Sequence, residues 1–354
     1  MRTLARERIM IITLAGDVPA ATIDTILHAA ASAGHEARTL DDGHGSTVIG
    51  VTGPIDVASL PGVNSVQEKH RPYMMASREA RPHAPSIVKV GNVRIGGGRP
   101  VVMAGPCVIE TREALLEAAI ATKEAGADML RGGAFKPRTS PYSFQGLGEE
   151  GLRFLAEARE VTGLPIVTEV MEPDQVELVA HYADMLQLGA RNMANFPLLR
   201  KLGQANRPIL LKRGFSATIE EWLMSAEYVM AHGNPNVVLC ERGIRGFDPA
   251  TRFTLDLTAV PLIKELSHLP IIVDPSHGTG RRSLVGRMSL AGLAAGADGL
   301  IIEALPDPDG AACDASQTIT TEELATIIES GRMLHSLLLT GGATEPERLI
   351  AHQA

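Results

Sequence analysis

Four side chains of the types that bind divalent metals are widely separated in this sequence. They are a thiol, an imidazole and two carboxylates, at Cys107, His277, Glu303 and Asp314. Mixed sulfur, nitrogen and oxygen donors suit a borderline ion such as Mn, Fe, Co or Zn. No local motif links them, and singly Cys107 suits a buried apolar position, His277 a loop and Asp314 a turn or cap. A metal site therefore requires a fold that brings all four together.

A second set of residues consists of cations that could bind anionic substrates. Its members are Arg131, Lys136, Arg138, Arg191, Lys212 and Arg242. Arginine forms forked bonds to phosphate or carboxylate, and lysine adds a point charge. Each of them alone suits a solvated surface position or an ion pair equally well. Together they predict one substrate with several negative charges, or two anionic substrates.

Composition limits the function classes. The 354-residue chain has 33 Lys and Arg against 41 Asp and Glu, a formal charge of −8. An acidic chain has no general attraction to nucleic acid or to an anionic membrane. Three cysteines, an odd number in a long chain, argue against a disulfide framework and favour a cytoplasmic location. No segment approaches the roughly 20 apolar residues of a membrane span. Neither a G-x-S-x-G elbow nor a dinucleotide fingerprint after a strand is present.

From residue 100 onward, short apolar strands alternate with helices. Strands are predicted at 101–105, 127–131, 165–169, 184–189, 208–212, 237–241, 270–274 and 298–303. Helices are predicted at 112–125, 149–161, 173–182, 218–232, 258–267 and 285–296. Eight evenly spaced strands with crossover helices favour a closed (β/α)8 barrel over the alternative, a doubly wound open sheet.

Every predicted strand is followed by a residue that could do chemistry. Cys107 follows the first strand, Glu169 ends the third and Glu303 ends the eighth. Barrel enzymes build their sites at the C-terminal ends of the strands, and strand eight pairs with strand one. The agreement of all eight ends predicts one shared site.

Residues 1–72 predict a separate small domain. Its predicted strands are 9–14, 36–40, 47–52 and 64–69, with helices at 20–33 and 55–60. The order β-α-β-β-α-β is the ferredoxin-like, split βαβ pattern. Residues 73–99 are predicted to form a linker and a small hairpin, and residues 100–354 the catalytic barrel. The N-terminal domain carries no catalytic set of its own.

Several segments closely resemble the 3-deoxy-D-arabino-heptulosonate 7-phosphate (DAHP) synthase family, in its type Iβ form with an N-terminal ferredoxin-like domain. They are AGPCVIE (104–110), RGGAFKPRTSPYSFQGLG (131–148), GARNM (189–193), LLKRG (210–214), CERGIR (240–245) and DPSHGTGRR (274–282). The resemblance implies a shikimate-pathway transferase that condenses phosphoenolpyruvate with erythrose 4-phosphate and water and releases phosphate.

The resemblance also implies roles for individual residues. The implied metal ligands are Cys107, His277, Glu303 and Asp314. The implied phosphoenolpyruvate contacts are Arg131, Lys136, Arg191, Lys212 and Arg242. The implied erythrose 4-phosphate contacts are Lys136, Pro137, Arg138 and Thr139. The candidates for proton transfer are Glu169, Glu241 and Asp274. The metal is expected to polarise the aldehyde and to orient water.

Three departures from the family pattern lie near the implied metal site. Leu305 stands where the family usually has a His after the glutamate ligand. Phe253 replaces the Asn of the usual TRNTLD, and the loop that carries Asp314 reads CDASQT rather than SDGPQS. Because residues that surround ligands tune metal affinity and rate, we expect changed efficiency or metal preference rather than a different reaction.

Two other functions are alternatives. The sister family, 3-deoxy-octulosonate 8-phosphate synthase, uses arabinose 5-phosphate and has a KANRS-like segment where this chain has KPRTSP, which favours the four-carbon sugar. An inactive regulatory paralogue is the second.

The resemblance further implies a homo-oligomer, often a tetramer, and feedback inhibition by Tyr or Phe at the N-terminal domain. That domain could instead serve only to pack subunits together.

Overall fold

The computed structural model describes residues 9–16, 18–41, 47–69, 72–136, 142, 144–311 and 313–340. Its N-terminal domain contains β1 (Ile9–Leu14), α1 (Ala20–Ser32), β2 (Ala37–Asp41), β3 (Thr47–Val51) and β4 (Val63–Lys69). The four strands form an antiparallel sheet in the order β2-β3-β1-β4. This is the strand order of a ferredoxin-like domain, as the sequence predicts.

One face of this sheet packs on α1, whose Ile26 and Ala30 are buried beside Ile12 and Ile49. The predicted helix at 55–60 is wrong, because the described chain between β3 and β4 forms turns there. Pro54 and Pro61 bracket a segment too short for a stable helix, and proline lacks the N–H that a helix interior requires.

The chain between the two domains is largely buried. Tyr73, Met74 and Ala76 are buried, and Glu227 accepts hydrogen bonds from the backbone of Met75 and Ala76, at 2.9 and 2.8 Å. The predicted hairpin follows as β5 (Val88–Val90) and β6 (Val93–Ile95). Its valines and Ile95 pack into the apolar interior of the barrel, so the hairpin closes the N-terminal end.

The barrel strands are β7 (Val101–Gly105), β8 (Met129–Arg131), β9 (Ile166–Val170), β10 (Met185–Leu188), β11 (Ile209–Lys212), β12 (Val237–Glu241), β13 (Ile271–Val273) and β14 (Gly299–Leu305). They pair in parallel in chain order, and β14 pairs with both β13 and β7. These pairings close the predicted (β/α)8 barrel. A short strand, β15 (Ile319–Thr320), pairs in parallel with the last residues of β14.

The barrel helices are α2 (Arg112–Glu124), α3 (Glu149–Thr162), α4 (Val176–Tyr182), α5 (Phe196–Gly203), α6 (Ile219–Ala231), α7 (Ala259–Leu266), α8 (Pro275–Thr279), α9 (Arg282–Ala294) and α10 (Thr321–Thr340). Local signals set their starts: Thr218 and Glu221 form a reciprocal capping box at α6. The structure adds α5, α8 and α10 to the predicted helices. None of the described helices is long and apolar enough to cross a membrane.

Candidate active site

The four candidate metal ligands meet at the C-terminal end of the barrel. Cys107 follows β7, His277 lies in α8, Glu303 lies on β14 and Asp314 precedes β15. One donor atom from each residue lies within 4.8 Å of the others. Cys107 Sγ is 3.0 Å from Asp314 Oδ2, and His277 Nε2 is 3.3 Å from Glu303 Oε1. Closure of the barrel thus joins residues that no local motif connects.

Neighbouring side chains orient these donors. Asp274 Oδ2 lies 2.8 Å from His277 Nδ1, which leaves Nε2 directed toward Glu303. Gln317 donates to Glu303 Oε2 at 2.6 Å. A histidine ligand that is held by a carboxylate through its other nitrogen is the usual arrangement in metal sites. Together with the compact cluster of S, N and O donors, these bonds fit a divalent metal ion.

Asp314 adopts an uncommon backbone conformation, with φ at +57°. Non-glycine residues rarely occupy this region, and such strain concentrates at functional sites. Asp314 lies in the loop between β14 and β15, outside any strand or helix. The tertiary structure therefore holds Asp314 in the cluster against its local backbone preference.

Positive charge compensates the acidic donors. Lys136 Nζ contacts Cys107 Sγ and lies 3.0 Å from Asp314 Oδ2, while Arg131 lies 3.1 Å from Glu303 Oε1. Burial alone would raise the pKa of Glu303, but His277, Arg131 and Lys136 lower it to about 2. Burial likewise opposes the charge on Lys136, yet Cys107, Glu303 and Asp314 raise its pKa above the ordinary value. Both charged forms are therefore favoured.

The five predicted phosphoenolpyruvate contacts line the same cavity as the metal cluster. This cavity has a volume of about 530 Å³, and the five are Arg131, Lys136, Arg191, Lys212 and Arg242. Arg131, Lys136 and Lys212 are paired with acidic groups, Lys212 with Asp274 at 2.5 Å. Within the described part of the chain, Arg191 and Arg242 pair with no carboxylate. The predicted sugar contacts Pro137, Arg138 and Thr139 lie outside the described residues.

The structure adds residues to the cavity that the sequence alone did not single out. They are Phe215, Arg245, Arg252 and Gln187. Arg245 was detectable, because it lies three residues after Arg242 in the same segment. Arg213, in contrast, follows a barrel strand but turns away from the cavity. It pairs with Glu241 at 2.9 Å and with Asp256 at 2.8 Å.

The three candidates for proton transfer lie in different environments. Glu169 lines the cavity, and burial raises its pKa despite the nearby Lys212, Lys136 and Arg131. Glu241 is fully buried and accepts hydrogen bonds from Arg213 and the backbone N–H of Gly243. Asp274 is held by Lys212 and His277, which lower its pKa against the opposing effect of burial. Glu169 alone of the three faces the cavity.

Gly189 leaves the space that the Glu169 carboxylate occupies. A Cβ at this glycine would lie 2.0 Å from Glu169 Oε1, so any larger residue would displace the carboxylate. Gln187 donates to Glu169 Oε2 at 3.2 Å. The GARN segment thus supports a carboxylate on the neighbouring strand.

Two of the three departures from the family pattern, Phe253 and Leu305, line different cavities. Phe253 lines the main cavity beside Arg242 and Arg252. Leu305 lines a separate cavity of about 230 Å³, with Pro106 and Ile109 among its walls. Only Phe253 can therefore touch a ligand in the main cavity.

Comparison with known proteins gives a family match. The model of the "DAHP synthetase I family" matches residues 73–340. A phospho-2-dehydro-3-deoxyheptonate aldolase of Thermotoga maritima is 48% identical over 305 residues, which are 84% of this chain and 90% of the relative. A 2-dehydro-3-deoxyphosphooctonate aldolase of Syntrophotalea carbinolica is 32% identical over 260 residues, covering 68% of this chain and 92% of that protein.

Solved structures agree with this match. The crystal structure of the Thermotoga maritima phospho-2-dehydro-3-deoxyheptonate aldolase (DAHP synthase) is 45% identical, with a TM-score of 0.75. It covers 94% of this chain and 98% of its own. A truncated form of the Thermotoga maritima enzyme has a TM-score of 0.70 and 46% identity, covering 75% of this chain and 97% of its own.

Proposed function

The chain belongs to the DAHP synthetase I family, and we propose from that membership that its barrel condenses phosphoenolpyruvate with erythrose 4-phosphate and water. The products are DAHP and inorganic phosphate. One observation supports this most directly: three of the four clustered metal-ligand candidates, Cys107, His277 and Asp314, line one cavity of about 530 Å³ together with the five cations. Two phosphorylated substrates repel each other, and such a cavity can hold both.

The bond changes set the demands on the site. Carbon 3 of the enol attacks the aldehyde carbon, and the aldehyde oxygen takes up a proton. Water adds at carbon 2, and the resulting hemiketal phosphate expels phosphate. We assign the metal to Cys107, His277, Glu303 and Asp314; when bound, it supplies Lewis acidity toward the aldehyde oxygen. Mn, Fe, Co and Zn all suit these donors.

The cations bind and orient phosphoenolpyruvate. Lys212 and Arg131 are buried and fixed by Asp274 and Glu303, so their directions are set before substrate arrives. Arg191 and Arg242, free of carboxylate partners among the described residues, supply uncompensated charge for a phosphoryl group. Lys136 lies between the metal cluster and the cation set, and we assign it contacts to both substrates. We propose sugar contacts for Pro137, Arg138 and Thr139 on the resemblance alone.

Among the three carboxylates, we assign proton transfer to Glu169. It faces the cavity, where a carboxylate can reach a bound substrate, and burial raises its pKa above the ordinary value. Asp274 and Glu241 are occupied by hydrogen bonds that position His277 and Arg213. We therefore assign these two a structural role at the site.

The reaction is tested by phosphate release from phosphoenolpyruvate. Protein stripped with EDTA is assayed with erythrose 4-phosphate, before and after Mn is returned, and with arabinose 5-phosphate in parallel. We expect turnover that depends on metal and on the four-carbon sugar. Turnover with arabinose 5-phosphate would favour the sister reaction. No turnover with either sugar, despite bound metal, would favour an inactive regulatory protein.

For residues 1–72 we propose a regulatory domain that binds Tyr or Phe as a feedback inhibitor. Support comes from the family resemblance and from the direct packing of the following segment on the barrel. Glu227 and Ser267 both bond the backbone of residues 75–76. A truncation should therefore remove residues 1–72 and retain 73–86. We expect the truncated enzyme to keep its turnover and lose inhibition; inhibition that persists would exclude the domain as the effector site.

A homotetramer in the cytoplasm completes the proposal. The resemblance supports the tetramer, and the absence of a disulfide at Cys107, Cys240 and Cys313 is compatible with a reducing compartment. Light scattering coupled to size-exclusion chromatography measures the assembly directly. A monomeric mass at assay concentration would contradict the tetramer.

A further inference from the structure

Two phenylalanines face the arginines of the active-site cavity. The rings of Phe215 and Phe253 are nearly parallel, at 11°, and their centroids are 5.1 Å apart. The Arg242 guanidinium carbon lies 4.1 Å from the Phe253 centroid and 4.9 Å from that of Phe215. Arg191 and Arg245 lie within 5.7 Å of the Phe215 ring as well. We call Phe215 and Phe253 the aromatic pair.

Arg242 has unusual surroundings for a buried cation. It is only 3% exposed, and it donates long hydrogen bonds, both of 3.3 Å, to the backbone carbonyls of Gly243 and His277. In the described part of the chain it pairs with no carboxylate. Burial lowers its pKa, and Asp274 opposes this only in part. The electron-rich ring faces are attractive partners that lie directly against this guanidinium.

A ring face and a carboxylate differ in how much of the positive charge of an arginine they leave available to an anionic ligand. A carboxylate would fix the arginine but neutralise it, and would have to be displaced or repelled by an incoming phosphate. An aromatic face attracts and orients the guanidinium while leaving its net charge intact. Arg213 shows the contrast, because Glu241 and Asp256 pair with it and it lies outside the cavity.

The local backbone is shaped to hold Phe253 in place. Ile244 and Thr254 exchange two backbone hydrogen bonds of 2.9 Å across the loop. Gly243 has φ at +94°, and a Cβ there would lie 2.7 Å from Phe253 Cβ. Only glycine both tolerates this φ and leaves room for the ring.

We propose that Phe253 is a positioning residue which, together with Phe215, holds Arg242 as an uncompensated cation for the phosphoryl group of phosphoenolpyruvate. This inference rests on the proposed function, since it requires Arg242 to bind that substrate. It also gives a role to the substitution of Phe253 for the asparagine usual in the resembling family. In this chain the π face of Phe253 orients the arginine, whereas the amide of an asparagine could orient it only through hydrogen bonds.

The test compares Phe253→Leu, which removes the ring, with Phe253→Tyr, which keeps it. Binding of phosphoenolpyruvate to EDTA-treated protein is measured by calorimetry, so turnover is not needed. We expect Phe253→Leu to weaken binding about two- to tenfold. Without the ring, Arg242 is no longer held in place, and the cost of ordering its side chain falls on substrate binding. Phe253→Tyr should stay within about twofold of the wild type.

Phe247→Leu is the matched control, because Phe247 lies in the same loop and is fully exposed. Thermal denaturation shows whether each variant is folded. Equal binding by wild type, Phe253→Leu and Phe253→Tyr would overturn the proposal, and so would equal losses in both variants. In steady-state assays the KM for phosphoenolpyruvate should rise in Phe253→Leu with little change in kcat or in the KM for the sugar. A wild type that binds phosphoenolpyruvate but never turns over would instead contradict the proposed function.

Discussion

The two ends of the barrel are built by the same strands but have opposite chemistry. Every second residue of a strand points into the barrel. Of two such residues, the first lies in the interior and the second lies nearer the C-terminal end of the strands, which we call the mouth. Five strands show this as an apolar residue followed two positions later by a charged one: Met129 and Arg131, Val167 and Glu169, Leu210 and Lys212, Ile272 and Asp274, Ile301 and Glu303. The N-terminal end is closed by the apolar hairpin β5–β6.

This difference separates stability from function. Apolar burial in the interior contributes to folding without any ligand. Buried charges at the mouth carry a desolvation cost, which partners such as Asp274 and Glu303 offset only where the geometry is good. We infer that the mouth keeps these charges for its ligands. Substitutions should therefore affect activity at one end and folding at the other.

The largest expected contrast uses two cysteines. Cys107→Ala removes a proposed metal ligand at the mouth, and we expect the loss of bound metal and at least about a thousandfold loss of kcat. Cys240 is fully buried in the interior. Cys240→Ala should keep metal and activity and lower the free energy of unfolding by about 1–2 kcal/mol. Metal analysis, turnover and denaturant unfolding measure these quantities; full metal content in Cys107→Ala would refute the ligand assignment.

A second contrast compares two glutamates near the mouth. Glu169→Gln should lower kcat by about 100- to 1000-fold, because a positioned proton donor or acceptor is lost. Its metal content should not change. Glu241→Gln should act mainly on stability, since Glu241 supports Arg213 within the wall. If Glu241→Gln lowers kcat more than Glu169→Gln does, the assignment of proton transfer is wrong.

A pH titration tests how buried His268, which precedes β13 at the N-terminal end of the barrel, contributes to stability. Burial lowers the pKa of His268 to about 4, and this ring bonds Ser86 and the carbonyl of Met75. The unfolded chain takes up a proton near pH 6.5, whereas the folded chain does not. Stability is therefore fully present above about pH 6.5 and falls as the pH drops toward 4, by up to roughly 3 kcal/mol.

His268→Gln provides the comparison for that titration. It should be less stable than the wild type at pH 7, because two buried hydrogen bonds change. Its free energy of unfolding should depend less on pH between 6.5 and 4. Denaturant unfolding at several pH values gives both numbers, and parallel curves for the two proteins would show that His268 does not cause the loss.

The smallest expected effect concerns the hairpin that closes the interior. Val90 is buried there, and Val90→Ala removes two methyl groups from the packed cluster. We expect a loss of about 1–2 kcal/mol in the free energy of unfolding, with kcat unchanged. Turnover measured well below the melting temperature checks the second point. A clear loss of kcat in this variant would mean that the two ends are coupled.

Much of the architecture was predictable from local pattern. The eight barrel strands lie within about two residues of their predicted bounds, because runs such as ILLK and VVLCE are short, apolar and flanked by turns. The N-terminal strands followed from the same signals. The predicted helix at 55–60 failed because two prolines outweigh its apolar content. α5, α8 and α10 were not among the predicted helices.

The sequence by itself determined which residue types stand at the strand ends, and periodicity of two then determined that they share the inner face. Only tertiary structure decided which of them meet. Barrel closure through the β14–β7 pairing brings Glu303 beside Cys107, and a loop in strained conformation adds Asp314. The tertiary structure also pairs Arg213 with acidic side chains outside the cavity and places Arg242 against the aromatic pair. Those choices depend on packing and charge between segments far apart in the chain, which local pattern does not contain.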